Sequence, residues 1–387
     1  MKKLILMAST VAIILSCKDE NLSTESAPLA SSESITGAAI PGKYIVVLKG
    51  EPELKGMPMA VREKVLALLI KNGANQAAID HVYSAAIQGF AGTLNPAQLK
   101  SLMNDPNVAY IEADQEVTIS QGKPGGGGTT QPAQEIPWGI TRVGGSTDGT
   151  GKTAWIIDTG IDLTHPDLNV DATRGFSAFT SGKDAGFNDG NGHGSHVAGT
   201  VAAKNNTIGV VGVAPNAKVV PVKVLSSRGS GSNSGVIAGV DWVAANGQPG
   251  DAANMSLGGG VSAALDLAVL NASNSSGVKF ALAAGNETDN ANNHSPARVN
   301  GPNIVTISAH DINNNFASFS NYGNPPVDFC APGVSIKSTW KSGGYNTISG
   351  TSMATPHVCG LLLLGNINSG GTVNNDPDGN PDVLAHK

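Results

Sequence analysis

The sequence predicts an α/β fold, with helices on both faces of a mostly parallel central sheet, preceded by a small α+β domain. Two observations support this fold class. From Glu135 onward, short apolar runs alternate with helical stretches, which is typical of βαβ units and of a sheet covered on both faces. Before that region, residues 120–134 are rich in Gly, Gln, Pro and Thr, which indicates a flexible linker and the clearest domain boundary in the chain.

Composition narrows the classes of protein. The 387 residues are enough for one large and one small domain. The net charge of −6 is mild and the Lys and Arg residues are dispersed, so we expect no nucleic-acid partner. Because only 4% of the residues are aromatic, an aromatic carbohydrate-binding surface is not expected either.

The N-terminus has the pattern of a targeting segment. Lys2 and Lys3 precede an apolar run, Leu4–Leu15, that is too short to span a bilayer comfortably. A serine and then Cys17 follow, which resembles a bacterial lipoprotein signal. Residues 1–16 would then be removed and Cys17 lipidated. The alternative is an ordinary secretory signal with an incidental cysteine.

The next two segments differ in character. Residues 17–40 are rich in Ser, Ala, Thr and Glu and are expected to be a flexible tether, whereas residues 41–119 have the pattern of a compact domain. The strands predicted in this domain are Lys43–Leu48, Ile87–Leu94 and Val108–Glu112, and the helices are Val61–Lys71 and Pro96–Met103.

Residues 135–387 are the predicted large domain. Its strands are predicted at Thr153–Ile157, Val219–Leu225, Ala252–Leu257, Lys279–Ala284 and Ile304–Ala309, and its helices at Gly194–Ala203, Val236–Ala245 and Ser262–Ser273, with a last helix that begins near Ser352 and continues through the apolar run Val358–Leu364. In open parallel sheets, ligands bind outside the carboxyl ends of the strands, so a site is expected there.

Four polar residues are predicted to lie at this edge. Asp158 follows one strand directly, and Asn286 lies just beyond another. His193 lies between glycines at the mouth of a small-residue helix, and Ser352 begins the last helix. Together they supply an orienting acid, an oxyanion donor, a general base and a nucleophile. Their order along the chain, Asp before His before Ser, is the order found in subtilisin.

Each of these residues also has a simpler interpretation. Asp before Gly, and Asn after it, commonly form turns, and Ser at a helix start commonly caps the helix. The three-residue spacing of His193 and His196 could suggest zinc, but no carboxylate or third histidine follows at helical spacing. We therefore expect His196 to point inward as a structural residue.

Two cysteines remain besides Cys17. In an exported protein Cys330 and Cys359 could form a disulfide bond. Both lie in apolar stretches of sequence, which favours buried free thiols.

Three motifs resemble the catalytic motifs of subtilisin-like serine proteases, the peptidase S8 family. They are DTGID at 158–162, HGSHVAGT at 193–200 and GTSMATPHV at 350–358. The wider match, at 137–140, 254–260 and 318–323, is most similar to the proteinase K branch, and the resemblance covers about residues 135–365. Ser195 stands where the family usually has Thr, which is a conservative departure.

The resemblance implies a subtilisin-like three-layer fold and a role for each residue. Ser352 corresponds to the nucleophile, His193 to the general base and acid, and Asp158 to the residue that holds the imidazole. The Asn286 amide and the Ser352 backbone N–H correspond to the oxyanion hole. The substrate-binding residues that the resemblance implies are Ser256, Leu257, Gly258, Ala283, Ala284 and Gly285 in two pocket walls, and Gly229, Ser230 and Gly231 in an edge strand that pairs with an extended peptide.

The pocket walls indicate which residue precedes the scissile bond. They are rich in Gly and Ala and contain no carboxylate, which favours an apolar or aromatic residue. Glu287 follows Asn286 directly, and our hypothesis is that at the pocket rim it admits Lys or Arg as well.

Residues 41–119 resemble the I9-type propeptide inhibitor domains of this family, which implies a ferredoxin-like α+β fold. Lys43–Leu48 and Asn107–Asp114 carry the similarity. The resemblance implies that the precursor cuts itself between about Ile119 and Gln134. A lipid on Cys17 lies on the inhibitor side of that cut, so maturation is expected to release a monomeric peptidase from the outer membrane or cell surface.

A structural calcium ion is implied in the same way. Asp328, with the backbone carbonyls of Pro302 and Ile304, matches a calcium site of the proteinase K branch. An aspartate at a strand start is the alternative.

The tail after Gly365 departs from the family, which normally carries more helix there. It offers a second calcium candidate, but this cluster lacks a distal bidentate glutamate and is expected to be only a turn. Its acidic residues are Asp376, Asp378 and Asp382.

Three functions compete at this point. The first is an exported serine endopeptidase that needs no cofactor for its chemistry. The second is a non-catalytic homologue that binds peptides, and the filled catalytic roles oppose it. The third is an esterase, against which the peptide-pairing segment at 229–231 argues.

Overall fold

The computed structural model describes residues 37–119, 131–365 and 367–387; the signal segment, Cys17, most of the tether and most of the linker lie outside these ranges. The helices are α1 (Pro58–Lys71), α2 (Pro96–Met103), α3 (Trp138–Arg142), α4 (His193–Ala202), α5 (Asn233–Asn246), α6 (Ala263–Ser276) and α7 (Thr351–Leu364). The strands are β1 (Ala39–Leu48), β2 (Ile79–Tyr83), β3 (Gly89–Thr93), β4 (Val108–Thr118), β5 (Thr153–Asp158), β6 (Phe176–Ser177), β7 (Lys218–Lys223), β8 (Ser230–Ser232), β9 (Ala252–Met255), β10 (Lys279–Ala283), β11 (Ile304–His310), β12 (Val327–Pro332), β13 (Ile336–Trp340), β14 (Gly344–Ile348), β15 (Asn368–Thr372) and β16 (Val383–His386).

The small domain is an antiparallel sheet in the order β2-β3-β1-β4, with α1 and α2 on one face. Successive residues of β1 point to opposite faces, as in any strand. Val46 and Leu48 pack against the two helices, whereas Ile45 and Val47 belong to the core that contains α5 and α6. The predicted α+β architecture of this domain is confirmed, and its second face packs on the large domain.

Two features of the small domain differ from the sequence prediction. Strand β2 is missing from the prediction, because Asp80 and His81 interrupt its short apolar pattern. Strand β4 continues beyond the predicted Glu112 to Thr118, through residues with no apolar alternation. This extension pairs with β8 of the large domain, a tertiary partner that the local sequence does not reveal.

The large domain has a central sheet in the order β15-β16-β12-β11-β10-β9-β5-β7-β6, counted over the described residues. All neighbours are parallel except β15 and β16. Within β5, Ala154 and Ile156 pack on the side of α4 and α7, while Trp155 and Ile157 pack on the side of α5 and α6. These two cores make the three layers of the predicted fold.

The tail adds strands to this sheet. β16 is parallel to β12, with Leu384 opposite Cys330, and β15 is antiparallel to β16. Cys330 and Cys359 are both buried free thiols, as the apolar contexts favour. In the part of the chain that the structure describes, no helix is long and apolar enough to cross a membrane.

Candidate active site

The predicted catalytic residues meet at the carboxyl edge of the large sheet. Asp158 is the last residue of β5, His193 is the first residue of α4, and Ser352 is the second residue of α7. Gly192 permits the sharp entry into α4, since its φ is 116° and a Cβ there would lie 2.2 Å from the Trp340 ring. Parallel strands end at one edge, which is why Ser352, bonded to Ser256 just after β9, lies at the same edge as Asp158 at the end of β5.

His193 and Asp158 form a buried pair. The imidazole Nδ1 lies 2.8 Å from Oδ1 and 2.9 Å from Oδ2 of the carboxylate, and both side chains are fully buried. A carboxylate accepts a hydrogen bond, so Nδ1 carries the proton and Nε2 keeps its lone pair. His193 Nε2 is buried and has no hydrogen-bond partner among the described residues. That nitrogen is therefore suited to accept a proton.

Ser352 lies inside the first turn of α7 rather than at its cap. Gly350 occupies the cap position, and no side chain caps this helix. The Ser352 hydroxyl donates to the Ser256 carbonyl at 3.1 Å, and the Ser256 hydroxyl donates to the Ser352 carbonyl at 2.9 Å. The Ser352 hydroxyl is therefore turned to the Ser256 carbonyl, and His193 Nε2 has no hydrogen bond to it among the described residues. The helix start still favours negative charge beside Ser352.

Asn286 is oriented by α7. Its side-chain oxygen accepts the Thr351 backbone N–H at 2.8 Å. The NH2 group, which is the only donor of this side chain, points away from the Thr351 N–H group. This arrangement is compatible with donation to an oxyanion near Ser352.

A carboxylate that the sequence analysis did not single out holds the start of α4. Asp189 accepts the backbone N–H groups of Gly192 and Ser195, at 2.8 and 2.9 Å, and the hydroxyl groups of Ser195 and Thr159, at 2.8 and 2.9 Å. Burial raises the pKa of this carboxyl, although the backbone N–H bonds oppose the shift. Asp189 thus ties the end of β5 to the helix that carries His193. An aspartate within Asp-Gly-Asn-Gly has the sequence signature of a turn.

Two buried histidines near the site, His196 and His357, are structural. His196 is fully buried and its Nε2 lies 3.0 Å from the Ile336 carbonyl oxygen. Burial lowers the pKa of His196 to about 3, and that of His357 likewise to about 3. Both rings are therefore neutral, and His196 packs inward as predicted.

The two predicted walls form a small pocket beside Ser352, with about 280 Å³ of space that is partly open to solvent. Leu257 and Gly258 line one side, and residues 283–285 line the other. Ser256, which the resemblance assigns to a wall, is fully buried behind it and bonds Ser352 instead. The lining also includes Glu287 and His294, and no motif in the sequence predicts the place of His294.

The end of the small domain lies between the two segments that are predicted to bind a peptide, at 229–231 and 256–258. On one side, Val117 and Thr118 of β4 pair antiparallel with Gly231 and Ser230, and the Ile119 N–H donates to a further carbonyl of this edge at 2.9 Å. On the other side, Thr118 and Gly258 exchange two backbone hydrogen bonds of 3.2 Å. The chain end thus forms a middle strand in the groove, as an extended peptide would.

Buried carboxylates fasten the small domain in this position. Asp241 of α5 accepts the backbone N–H groups of Ala85 and Ala86 at 2.8 and 2.7 Å. Two carboxylates of the small domain likewise accept from the large domain. Asp114 accepts the Ser234 N–H at the start of α5 at 3.0 Å, and Glu112 accepts from the Ser262 hydroxyl at the start of α6. These contacts position the last strand of the small domain in the groove.

The fold and this site define a serine hydrolase whose groove binds an extended peptide. The sequence matches the subtilase family over residues 149–366 and the peptidase inhibitor I9 family over residues 43–120. The chain therefore belongs to the subtilase family of subtilisin-like serine endopeptidases, with an I9 inhibitor domain before the peptidase domain.

Several relatives support this assignment. The extracellular serine proteinase of Thermus sp. (strain Rt41A) is 42% identical over 88% of this chain and 84% of its own length. Subtilisin E of Bacillus subtilis is 38% identical over 92% of this chain and 86% of its own length. Alkaline serine exoprotease A of Vibrio alginolyticus is 42% identical over 84% of this chain, which spans only 60% of the length of that relative.

A solved structure is also similar. A cold-adapted subtilisin-like serine proteinase is 42% identical and matches with a TM-score of 0.57. The match covers 64% of this chain and 97% of the other. A match confined to the peptidase domain would cover about this fraction of the chain.

Proposed function

We propose that the protein is an exported serine endopeptidase, made as a zymogen that processes itself. The observation that supports this most strongly is the position of β4. Its last residues pair with both segments that are predicted to bind peptide, and Gly258 of one segment lines the same pocket as Ser352. An extended peptide substrate is expected to bind in the same way, with main-chain hydrogen bonds on both sides.

The proposed reaction begins when the Ser352 hydroxyl attacks the carbonyl carbon of the scissile peptide bond. His193 Nε2 takes the hydroxyl proton, and Asp158 stabilises the imidazolium through Nδ1. Negative charge collects on the former carbonyl oxygen, where the Asn286 amide and the Ser352 backbone N–H donate to it.

The second half of the reaction returns the enzyme to its starting state. His193 gives its proton to the leaving amine, the C–N bond breaks, and an acyl-enzyme forms on Ser352. Water then attacks the acyl carbon while His193 takes a proton from it, the ester bond to Ser352 breaks, His193 returns the proton to the Ser352 oxygen, and the acid product leaves.

We further propose broad specificity with an apolar or aromatic residue before the scissile bond. Glycine, alanine and leucine make most of the pocket lining. Glu287 lies in the lining as well, which supports the hypothesis that Lys and Arg are also accepted. If Glu287→Gln leaves the Lys-to-Phe ratio of kcat/KM unchanged on matched peptides, that hypothesis is wrong.

The small domain is proposed to inhibit the peptidase until the linker is cut. β4 and the contacts of the three carboxylates Asp241, Asp114 and Glu112 keep it in the groove, so cleavage beyond Ile119 would leave it bound as an inhibitor. The linker residues 120–130, in which the cut is expected, lie outside the described ranges.

Export is supported by the N-terminal signal pattern and by a relative whose name is extracellular serine proteinase. We propose lipidation of Cys17, which places the anchor on the inhibitor side of the cut. Processing then releases the peptidase into the medium. Detergent partitioning of processed enzyme into the membrane phase would contradict this release.

A calcium ion at Asp328 remains a proposal. Asp328 Oδ2 accepts the Thr306 N–H at 2.9 Å, and the described part of the chain gives this carboxylate no Lys or Arg partner. Within the described residues no group of three His, Cys, Asp or Glu side chains is arranged for a metal ion. The site therefore depends on the carbonyls of Pro302 and Ile304, which are oxygen ligands that suit calcium. A melting temperature that does not respond to calcium would exclude it.

The experiment that tests the proposed class compares wild type with Ser352→Ala in casein hydrolysis. Loss of the nucleophile is expected to lower kcat by about 10⁶, a figure known from subtilisin itself. Equal hydrolysis by both proteins would mean that a contaminating protease cleaves the casein and would support the non-catalytic alternative. Peptide and ester substrates of matched sequence separate an endopeptidase from an esterase.

A further inference from the structure

The specificity pocket contains an imidazole that has no part in the triad. His294 lies in the loop after β10, and its side chain lines the pocket next to Glu287. Only 7% of the His294 side chain is exposed. The ring is therefore part of the pocket wall rather than a mobile surface group.

Two carboxylates face this ring. His294 Nε2 lies 3.2 Å from Asp289 Oδ2 and 3.8 Å from Glu287 Oε2. Both carboxylates are held by amides, since Asn321 donates to Glu287 at 2.6 Å and Asn293 donates to Asp289 at 3.0 Å. The charge of the ring and the charges of both carboxylates thus act at fixed positions beside the pocket.

Other charged groups lie farther along the same loop. Arg298 Nε is 3.6 Å from Asp266 Oδ2 of α6, and burial raises the pKa of Asp266 to about 6. Glu112 of the inhibitor domain contacts the start of α6 and leaves when that domain leaves. Among the described residues, the ion pairs of His294 within 4 Å are those with Glu287 and Asp289.

We propose that His294 sets the charge of the specificity pocket, so that the preference for Lys or Arg before the scissile bond rises with pH. This inference rests on the proposed peptidase activity. Imidazole is the side chain whose charge ordinarily changes between pH 5 and 8. With the ring protonated, the three side chains carry a net charge of −1, and with the ring neutral, Glu287 and Asp289 leave a net charge of −2. A substrate ammonium group is attracted more strongly in the second state.

The test uses two fluorogenic peptides that differ only in the residue before the scissile bond, lysine in one and norleucine in the other. Norleucine has the lysine stem without its charge. The kcat/KM of processed wild-type enzyme is measured for both from pH 5.5 to 8.5. Both peptides are cleaved by the same catalytic residues, so any pH dependence that is common to the two peptides cancels in the ratio. We expect the lysine-to-norleucine ratio to rise about 3- to 10-fold across this range, since the attraction is partly screened.

Two variants assign the effect. His294→Gln keeps a polar side chain without a titrating ring, and its ratio should be independent of pH. Asp266→Asn removes the other nearby group that titrates in this range, and its ratio should rise as in wild type. His294→Phe serves as a second variant if His294→Gln does not fold.

The results distinguish failure of the proposed role of His294 from failure of the proposed peptidase activity. A flat ratio in wild type, a wild-type rise in His294→Gln or His294→Phe, or loss of the rise in Asp266→Asn would each overturn the role of His294. Cleavage of neither peptide at any pH would refute the proposed peptidase activity, and this inference with it.

Discussion

The catalytic edge and the contact with the inhibitor domain use the same interaction, a buried or half-buried carboxylate that accepts N–H or hydroxyl groups at a helix start. At the catalytic edge, Asp189 accepts from Gly192 and Ser195 at the start of α4. At the domain contact, Asp114 accepts from Ser234 and Glu112 from Ser262, at the starts of α5 and α6. The first joins segments that stay together, whereas the second joins domains that processing is proposed to separate.

The same kind of carboxylate contact at a helix start thus occurs both where the contact is permanent and where the two domains are proposed to separate. Burial raises the pKa of Asp189, Asp114 and Glu112 alike, because each carboxylate leaves water when its contact forms. The difference lies in covalent connection. The inhibitor contacts join residues on opposite sides of the linker, whereas the catalytic contacts join residues that all follow it.

The largest expected effect separates catalysis from inhibition. In Asp158→Asn the amide can donate to Nδ1, which favours the wrong imidazole tautomer, so kcat should fall about 10⁴-fold, as in the unrelated trypsin triad. Inhibition by a separately produced domain, residues 37–119, should not change. The variant is processed in trans by wild type before peptide hydrolysis and inhibitor binding are measured. A loss of inhibitor affinity comparable to the loss of kcat would show that the two regions are not independent.

The second prediction concerns the domain contact. Asp241→Ala leaves the N–H groups of Ala85 and Ala86 without acceptors, so Ki for the inhibitor domain should rise about 30- to 1,000-fold, by analogy with broken charge-assisted contacts at other interfaces. Asp241→Asn is the matched control, because its side-chain oxygen still accepts, and its Ki should rise less. The kcat of both variants on a short peptide should equal that of wild type. Equal Ki values for the two variants would rule out the acceptor role.

The smallest expected effect comes from a buried carboxylate that is not at a helix start. Asp382 accepts from the Ser308 hydroxyl, and burial raises its pKa to about 6. A raised pKa means that folding favours the protonated carboxyl. The protonated group therefore contributes about 2–3 kcal/mol to the free energy of unfolding below about pH 4, the ordinary pKa. This contribution is lost as the pH rises through 6.

Asp382→Asn should therefore raise Tm at pH 8 by roughly 4–10 °C and leave it unchanged at pH 4. Thermal unfolding is measured in the Ser352→Ala background, which prevents self-digestion. Asp378→Asn, at an exposed position of the same tail, is the control and should change neither value. If Asp382→Asn instead loses stability at pH 8, the charged carboxylate is required there, as a bound cation would demand.

Local sequence was sufficient where one element carries its own signal. The apolar run at 153–157 and the adjacent Asp158 predicted the strand and the residue at its carboxyl end, and the spacing of apolar residues predicted α1. The sites of Asp158, His193 and Ser352 could be inferred because each motif joins a polar residue to a strand end or helix start.

Features that depend on a distant partner could not be inferred in this way. The extension of β4 to Thr118 depends on pairing with Ser230, and its own residues show no strand alternation. Asp189 has a turn signature, and only the folded chain brings Thr159 to it. His294 lies eight residues beyond Asn286, and the loop between them determines that its ring reaches the pocket.

The central claim is that the end of β4 occupies the groove in which the enzyme cuts its substrates. The most direct measurement is the intact mass and N-terminal sequence of full-length wild type and Ser352→Ala, both made in a protease-free translation system. We predict that wild type is cut between Ile119 and Gln134 and that Ser352→Ala stays uncut. The same cut in both proteins, or a wild-type cut before Thr118, would contradict the account.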